Sequence, residues 1–423
     1  MNMNADTSWP LQAHRALLPE GVADQIAPSA RRESLLRQRL LGCFHMAGYQ
    51  QVSPPMLEYI ETLEDGPGET LGEQCFRLVD PISQRMMVLR ADLTAGVARI
   101  AALHYGDAPR PLRLAYCGTV LRVRGSQIRP ERQFTQAGVE LIGKAGLAAD
   151  YEAVHLALDS LGEIGLDQIG IDFALPGLLK PFISELQLDP AQEASCLEAI
   201  AARNPEAIGA LVGGRSGEIL LMMIEARGRW QKVRGRIIQL AALLPARAVL
   251  IESLVQLGDL VQQTCPHVQV TGDLAETQGF AYKDGIGFTL MHRPSARILG
   301  RGGRYSAGSK PSESKYTESK STGSRSNGLK PTESRFSGES AVGFSLYLDT
   351  VGNLATQPDD SDRHILAVRT PVAVITSWRK KGYVVIDSLV RESPISDDEI
   401  EILAHQHGCT ALLYESELTD LPR

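Results

Sequence analysis

Two polar side chains near residue 140 have the spacing of a small ligand site. In a strand predicted over residues 132–143, Gln136 and Glu140 lie on one face with Gly138 between them, because side chains alternate along a strand. A carboxylate accepts hydrogen bonds from an ammonium group, and an amide both donates and accepts them. The glycine would leave room for a small polar ligand. The same pattern also fits the solvated outer face of a sheet.

The strand predicted before it, over residues 112–124, carries two arginines on one face. Arg122 and Arg124 would lie beside the glutamine and the glutamate in a sheet. Guanidinium groups bind carboxylates and phosphates, so these side chains together would suit an amino acid. A surface ladder of ion pairs between strands would use the same residues, and the spacing does not separate the two interpretations.

A third candidate segment is Gly302-Gly303-Arg304-Tyr305, in which an aromatic ring beside an arginine could close a pocket. A Gly-Gly turn by itself is common and points to no chemistry. The chain lacks the glycine-rich dinucleotide and P-loop motifs, the HExxH motif and the GxSxG motif. Its nine histidines and six cysteines show no metal-ligand spacing. We therefore predict neither a metal nor a cofactor.

The composition is that of an ordinary globular chain. It has 423 residues, of which 43% are hydrophobic and 22% charged, and a formal net charge of −7. The length suits two or three domains of roughly 100–200 residues, and the net acidity argues against a bulk electrostatic attraction to nucleic acid. No run approaches about 18 apolar residues, and residues 1–21 lack a secretory-signal pattern. We expect a cytoplasmic protein with reduced cysteines and no membrane contact.

The elements that must position the candidate residues alternate between helix and strand. Apolar residues at helical spacing predict a first helix over residues 32–47. A buried strand predicted over 86–89 leads to Asp92, which has the residue type of an N-cap for a helix over 93–104. Residues 151–260 have a helical pattern that prolines interrupt.

The rest of the chain contains a core strand, a low-complexity segment and a small terminal unit. A strand is predicted over residues 280–290. Residues 306–340 repeat a Ser-Lys or Ser-Arg pair every five residues, and such a composition buries too little surface to fold, so we predict a disordered loop. A polybasic binding tail is the alternative, although glutamates dilute its charge. The tail alternates strand 364–368, helix 372–381, strand 383–386, a helix capped by Ser396 and Glu399, and strand 409–414.

Together these elements predict an α+β fold, in which helices flank an antiparallel sheet. The predicted parts are a flexible N-terminus (1–17), a first core part (18–165), a mostly helical insertion (166–265), a second core part (266–358) and a small C-terminal α/β unit (359–423).

Taken in order, these segments resemble the catalytic core of histidyl-tRNA synthetase, a class II aminoacyl-tRNA synthetase. The resemblance covers roughly residues 18–350 apart from the serine-rich segment, and it implies a class II synthetase-like sheet. The matching segments are Pro-Pro-Met-Leu-Glu at 54–58, which resembles the dimer-forming first motif, Leu-Arg-Ala-Asp-Leu-Thr at 89–94, the second-motif segments 121–124 and 132–140, and the third-motif segments 302–305 and 343–344.

Three positions depart from the synthetase pattern. Gln278 replaces the arginine of a signature loop, Arg124 replaces the acid of the second motif, and Thr350 stands where the third motif ends in arginine. In the synthetase such arginines neutralise charge that develops on the α-phosphate, and the loss of one preorganised donor typically costs about 3 kcal/mol of transition-state stabilisation. The resemblance therefore implies negligible adenylation and no catalytic residue.

The retained amino-acid side resembles the regulatory-subunit family of ATP phosphoribosyltransferase, a group of synthetase paralogues. This implies a non-catalytic protein that forms a self-dimer through its core. It would join a short-form catalytic subunit, commonly four of each, at the first step of histidine biosynthesis, with L-histidine as effector and no tRNA. The alternatives are an active histidyl-tRNA synthetase and a free-standing histidine-binding module. The implied histidine-binding residues are Asp92, Thr94, Arg122, Gln136, Glu140, Tyr282 and Tyr305.

Overall fold

The computed structural model describes residues 18–63, 72–125, 129–277, 279–280, 282–308, 338–355, 364–389, 395–415 and 417–421. The chain forms two compact units, Met1–Thr356 and Gln357–Arg423. The predicted flexible N-terminus, residues 1–17, lies outside the described residues.

The first unit contains both strands and helices. Its strands are β1 (Gln50–Gln51), β2 (Leu57–Tyr59), β3 (Arg77–Val79), β4 (Met86–Leu89), β5 (Leu112–Leu121), β6 (Gln133–Ile142), β7 (Ile169–Ala174), β8 (Arg227–Arg229), β9 (Gln269–Asp273), β10 (Gly287–His292), β11 (Arg297–Ala307) and β12 (Glu339–Tyr347). Its helices are α1 (Ser29–Met46), α2 (Thr94–His104), α3 (Leu147–Glu163), α4 (Pro176–Glu185), α5 (Pro190–Ala201), α6 (Pro205–Leu211), α7 (Gly214–Glu225), α8 (Trp230–Leu243), α9 (Ala248–Thr264) and α10 (Leu348–Leu354).

A nine-stranded mixed sheet forms the centre of this unit, in the order β1-β5-β6-β12-β11-β10-β7-β9-β8. Its pairs are antiparallel except β1 with β5 and β7 with β9, which are parallel. A separate antiparallel sheet has the order β2-β4-β3. The predicted α+β class is confirmed, and the mixed sheet flanked by helices is the frame that positions the candidate site.

Strand β6 separates two apolar clusters, as its predicted alternation requires. Ala137, Val139 and Leu141 point into the larger cluster. Phe134 and Ile142 point into a smaller cluster on the other face. The face that carries the candidate polar residues is therefore buried in the protein rather than exposed to solvent.

The first helix and the strand before Asp92 are close to their predicted positions. Helix α1 begins three residues earlier than predicted, at Ser29, and it buries Leu36, Leu40 and Phe44 against the larger cluster. Strand β4 has the predicted bounds, but its burial differs from the prediction, since Met86 is 38% exposed. Burial changes along the strand instead, because Val88, on the same face as Met86, is only 1% exposed.

Prolines begin three of the six α-helices described between residues 176 and 264. Pro190 and Pro205 occupy the first helical turn, where a missing N–H costs nothing. The prediction that Pro181 breaks the chain's helical pattern is wrong, because this residue lies inside α4. The buried side chains of α4 hold the helix together despite the lost hydrogen bond. The same region also supplies strand β7 to the central sheet.

The margins of the serine-rich segment are ordered strand. Ser306 pairs with Ser340, and Ala307 pairs with Glu339, in the ladder between β11 and β12. The predicted disordered loop is therefore wrong at both margins, because these residues have sheet partners. Its central part, residues 309–337, lies outside the described residues.

The C-terminal unit is a small α/β layer, as its pattern predicts. Its elements are β13 (His364–Val368), α11 (Val372–Lys380), β14 (Val384–Asp387), α12 (Asp397–Gln406), β15 (Ala411–Tyr414) and β16 (Glu417–Asp420). Its sheet order is β14-β13-β15-β16, and apolar clusters cover both faces. The sequence does not predict strand β16, because Glu-Leu-Thr-Asp lacks an apolar alternation.

Among the described residues, no single helix has the length and apolar character to cross a membrane. One pair, Trp230–Leu243 with Pro245–Thr264, passes only when taken together, and it is bent by 114°.

Candidate ligand-binding site

Glu140 lies at the centre of a buried polar cluster on one face of the central sheet. Its side chain is 1% exposed. The hydroxyl of Tyr305 donates to its Oε2 at 2.9 Å, and the hydroxyl of Tyr116 lies 3.1 Å from its Oε1. The alternative of a solvated outer sheet face is therefore wrong, and the carboxylate is held by phenol groups from β11 and β5.

Two glycines, Gly138 and Gly343, allow close contacts around the cluster. Only the role of Gly138 was predicted, and the structure gives it a different one. A Cβ at Gly138 would meet the carbonyl oxygen of Phe344 at 2.0 Å and the hydroxyl of Tyr116 at 2.7 Å. The space beside Gly138 is thus filled by the protein, and the prediction that it leaves room for a ligand is wrong. A Cβ at Gly343 would meet Oε2 of Glu140 at 2.0 Å, so Gly343 is what makes room for the carboxylate.

Gln136 connects the sheet to the start of helix α2. Its Nε2 donates to Oδ2 of Asp92 at 2.9 Å, and its Oε1 accepts from the backbone N–H of Leu93 at 3.2 Å. Asp92 was predicted as the N-cap, yet the N-cap residue is Leu93, one residue later. The Asp92 carboxylate still provides a hydrogen-bond acceptor for the first helical turn, because its Oδ1 accepts from the backbone N–H of Thr94 at 2.9 Å.

Thr94 and Ser345 complete the hydroxyl lining of the cluster. The side chain of Thr94 is 2% exposed, and its Oγ1 lies 3.5 Å from the hydroxyl of Tyr116. That hydroxyl also lies 2.8 Å from Oγ of Ser345. A tyrosine hydroxyl has one hydrogen to donate and can accept others, so Tyr116 sits between several exchangeable partners.

Lys283 is a pocket residue that sequence reasoning missed. Its side chain is 7% exposed, and its Nζ donates to the carbonyl oxygen of Gly303 at 3.0 Å. The same nitrogen lies 4.8 Å from the ring centroid of Tyr282 and 4.7 Å from that of Tyr305. The available signal was a lysine directly after an aromatic residue in an otherwise apolar segment, but lysine in such a place is usually exposed.

The pKa values of the two buried charges move toward neutrality. Burial raises the pKa of Glu140 to about 7, and the nearby Lys283 and the hydrogen bond from Tyr305 only partly oppose the rise. Burial lowers the pKa of Lys283, although Glu140 and Asp92 counteract the effect. Both charged forms are costly to bury. A ligand that supplies new hydrogen-bond partners for them would therefore be bound favourably.

Arg122 lies at the edge of this pocket rather than in it. Its Nε donates to the carbonyl oxygen of Ala91 at 3.2 Å, and its Nη2 lies 3.9 Å from Oδ2 of Asp92. Strand β5 ends at Leu121, so the prediction that Arg122 and Arg124 belong to it is wrong. The backbone N–H of Arg122 still donates to the carbonyl oxygen of Arg132 at 2.8 Å, whereas the N–H of Val123 donates to the carbonyl oxygen of Gln74.

A second, open cleft of about 540 Å³ adjoins Arg122. Two of the departing synthetase positions line it, Arg124 and Thr350, together with Gly279, which follows Gln278. Gln278 itself lies outside the described residues. The lining of the cleft includes the arginines Arg122, Arg124, Arg129, Arg297 and Arg301.

These arginines give the cleft a positive lining within an acidic protein. Arg129 forms an ion pair with Asp349, while the Nε of Arg301 is buried without a hydrogen-bond partner among the described residues. Although the sequence lacks arginine at positions 278 and 350, the cleft is therefore positively charged. Other arginines lie near the positions that the synthetase pattern would fill.

The structure thus brings six of the predicted residues into one cluster and leaves one at its edge. Tyr282 packs edge-on against Tyr305 at 5.8 Å between ring centroids. Arg304 does not help to close the pocket, because it forms an ion pair with Asp150 at 2.6 Å. The six clustered residues are Asp92, Thr94, Gln136, Glu140, Tyr282 and Tyr305.

In the described part of the chain, no group of three or more histidine, cysteine or acidic side chains could hold a metal ion. The six cysteines are all free thiols.

Comparison with known proteins places this fold in a class. The family model described as histidyl-tRNA synthetase matches residues 21–351. A Bacillus halodurans protein, named ATP phosphoribosyltransferase regulatory subunit/histidyl-tRNA synthetase, superposes with a TM-score of 0.72 at 21% identity, covering 95% of this chain and 99% of the other. A histidyl-tRNA synthetase from Nostoc sp. PCC 7120 superposes with a TM-score of 0.71 at 16% identity, covering 96% and 94%. The fold is that of the histidyl-tRNA synthetase class.

Sequence relatives narrow the class to one family. A protein from Rhodospirillum centenum is 37% identical over 95% of this chain and 96% of its own length. One from Paramagnetospirillum magneticum is 36% identical over 94% and 96%. Both are named ATP phosphoribosyltransferase regulatory subunit. The chain therefore belongs to the ATP phosphoribosyltransferase regulatory subunit family.

Proposed function

We propose that this chain is the non-catalytic regulatory subunit of an ATP phosphoribosyltransferase. It acts with a short-form catalytic subunit at the first step of histidine biosynthesis and responds to L-histidine. The observation that carries the proposal is the match along nearly the whole chain to relatives that bear the regulatory-subunit name. The phosphoribosyl transfer itself belongs to the partner.

The buried polar cluster supports histidine as the effector. A zwitterionic amino acid with a polar ring needs acceptors for its ammonium group and hydrogen-bonding groups for its carboxylate and ring. Asp92 and Glu140 are acceptors, while Arg122 and Lys283 are donors. With Arg122 at the edge included, two carboxylates are matched by two cations, which suits a ligand without net charge.

The proposal is tested by mixing the purified chain with a short-form catalytic subunit. We expect the chain to raise the rate of phosphoribosyl transfer, and added histidine to lower it. Glu140→Ala should weaken histidine binding by roughly 1.5–3 kcal/mol, as expected for a lost charge-assisted hydrogen bond. Glu131→Gln, which changes an acid on the cleft side rather than in the pocket, is the matched control. An unchanged rate on mixing would exclude the regulatory role.

The arginine-lined cleft favours one second candidate, an active histidyl-tRNA synthetase. Guanidinium groups at such a cleft could neutralise a nucleotide's phosphates. Histidine-dependent exchange of pyrophosphate into ATP by the isolated chain would establish this activity. We expect none, because Thr350 and Arg124 replace the synthetase's arginine and acid.

The oligomeric part of the proposal is a self-dimer through the core and a complex of four copies of this chain with four catalytic subunits, without tRNA. Met56 is 40% exposed and Leu57 is 41% exposed, in the segment that resembles the dimer motif. Contiguous exposed apolar patches mark protein interfaces, and these two neighbouring side chains would contribute to one. Sedimentation of the chain alone and with its partner measures both stoichiometries. Purification without any phosphoribosyltransferase would instead favour a free-standing histidine-binding module.

A further inference from the structure

The open cleft beside Arg122 carries more positive charge than its acids balance. Its volume is about 540 Å³, and Glu131 is the one acid among the lining residues that the structure describes. Three of its five arginines, Arg124, Arg297 and Arg301, have no acidic ion-pair partner in the described part of the chain. The other two each lie beside an aspartate. Uncompensated guanidinium groups that share one cleft attract an anion.

Arg301 extends its guanidinium group next to the loop in which the synthetase pattern has an arginine. A Cβ at Gly279 would overlap Nη1 of Arg301, so this side chain fills the space beside the glycine. Gly279 directly follows Gln278, the position of the missing arginine. The Nε of Arg301 is buried and has no hydrogen-bond partner among the described residues. Because a charge that is partly removed from water interacts more strongly with an opposite charge, Arg301 should bind an anion more tightly than a fully hydrated arginine would.

The aromatic rings in contact with the lining arginines leave a nucleotide base little surface for stacking. The guanidinium carbon of Arg129 lies 3.7 Å from the ring centroid of Phe134 and 4.1 Å from that of Tyr347. The guanidinium carbon of Arg301 lies 5.8 Å from the ring centroid of Phe280. These three aromatic residues are only 4%, 9% and 1% exposed, respectively. A base that is recognised by stacking needs an open ring face, so we expect this cleft to recognise a ligand by its anionic groups.

The lining arginines come from two segments, the connection between β5 and β6 and strand β11. An anion that contacts several of them at once must present charged oxygens along its length, as two or three linked phosphate groups do. We propose that the cleft binds an inorganic oligophosphate of two or three linked phosphate groups, without a nucleoside. This site is separate from the polar cluster around Glu140, and it goes beyond the proposed function by adding an anionic ligand.

The test is calorimetric titration of the full chain with orthophosphate, pyrophosphate, tripolyphosphate and ATP, in buffer with EDTA so that no metal complex forms. Pyrophosphate and tripolyphosphate should bind at least about tenfold more tightly than orthophosphate, as expected when a second phosphate gains hydrogen bonds between charged groups. ATP should bind no more tightly than tripolyphosphate, because its base finds no stacking partner. Absence of pyrophosphate binding, or equal affinities for pyrophosphate and orthophosphate, would overturn the proposal. Tighter binding of ATP than of tripolyphosphate would also overturn it, because a nucleotide would then be the ligand.

Two variants of β11 and one control locate the bound anion. Arg301→Gln should weaken tripolyphosphate binding at least about tenfold, as expected for a lost hydrogen bond between charged groups. Arg297→Gln, at the exposed first residue of β11, should also weaken it, and this variant decides the question if Arg301→Gln fails to fold. Arg293→Gln removes the same charge in the turn between β10 and β11, outside the lining of the cleft, and should bind as the wild type.

Wild-type affinity in both β11 variants, or an equal loss of affinity in the control, would overturn the proposal. None of these titrations requires histidine, so the proposed function and this inference fail independently.

Discussion

Tyr305 donates a hydrogen bond of 2.9 Å to Oε2 of Glu140, although 165 positions separate the two residues. Strand β12 lies between their strands and pairs Gly343 with Glu140 on one side and with Gly303 on the other. Since Gly343 has no side chain, the phenol and the carboxylate meet above the middle strand. The bond therefore depends on three strands being in the correct register.

Replacement of Tyr305 by phenylalanine should weaken histidine binding by roughly 1–2 kcal/mol. The ring remains to pack against Tyr282, but Glu140 loses a donor that stabilises its charged form. Calorimetric titration measures the change. Tyr414→Phe, in the separate C-terminal unit, is the control and should bind as the wild type. Equal affinities of wild type and Tyr305→Phe would contradict the assigned position of Glu140 in the ligand site.

Stability of the unliganded protein should fall as the pH rises from about 4.5 to 7, as far as Glu140 contributes. Its pKa is about 7 in the folded chain, against an ordinary value of 4.5. In this interval the folded state holds a proton that the unfolded state has released, so unfolding becomes easier as pH increases. Denaturant unfolding of wild type and Glu140→Gln at several pH values measures the effect.

The difference in unfolding free energy between these two proteins isolates the contribution of Glu140, since all other groups titrate in both. We expect Glu140→Gln to gain relative to the wild type, by on the order of a few kcal/mol between pH 5 and 8. A difference that does not vary with pH would show that the carboxyl group has an ordinary pKa.

Gly343→Ala should destabilise the protein by about 1–3 kcal/mol, as expected for overpacking of a filled interior. The added Cβ would lie 2.0 Å from Oε2 of Glu140 and 2.3 Å from the carbonyl oxygen of Val139. Gly235→Ala is a matched control in helix α8, where a Cβ meets nothing within 4 Å. That change should stabilise by roughly 0.5–1 kcal/mol, because alanine favours a helix interior. Thermal unfolding of both variants distinguishes the two effects, and a neutral Gly343→Ala would be inconsistent with this close approach.

Replacement of residues 309–337 by a short Gly-Ser linker should leave the melting temperature and the oligomeric state unchanged. Ala307 pairs with Glu339 and Ser306 pairs with Ser340, so the two ends are already neighbours and a short linker can join them. Differential scanning calorimetry and sedimentation check the result. A large fall in melting temperature would mean that the serine-rich segment contributes to the folded core.

Part of the site could be predicted from the sequence because its signal is local. The alternation along β6 placed Gln136 and Glu140 on one face and Val139 on the other, and the structure confirms it. A strand has a period of two whatever it packs against. The same reasoning was wrong for Gly138. The space beside this glycine is filled by the phenol of Tyr116 from β5, and no local sequence pattern predicts that contact.

The missed elements share one physical cause, which is that their surroundings come from distant parts of the chain. In the sequence, Lys283 has the features of an ordinary exposed residue. In the structure it is buried, because β11 places Tyr305 and Gly303 around it. The arginines of the open cleft come from the loops after β5 and before β6 and from β11. Because these arginines are far apart in the sequence, no local pattern shows that their charges meet in one cleft.

The sequence by itself determined the alternation of helix and strand, the apolar faces of α1 and β6, and the identity of most of the polar cluster. The alternation and the apolar faces follow from local periodicity and residue type, whereas most members of the cluster were implied by the resemblance to a family. Only the tertiary structure decided that Glu140 is buried and close to Lys283, and that arginines gather beside Arg122. Burial and charge separation depend on which strands become neighbours, and that register is a property of the folded sheet rather than of any one segment.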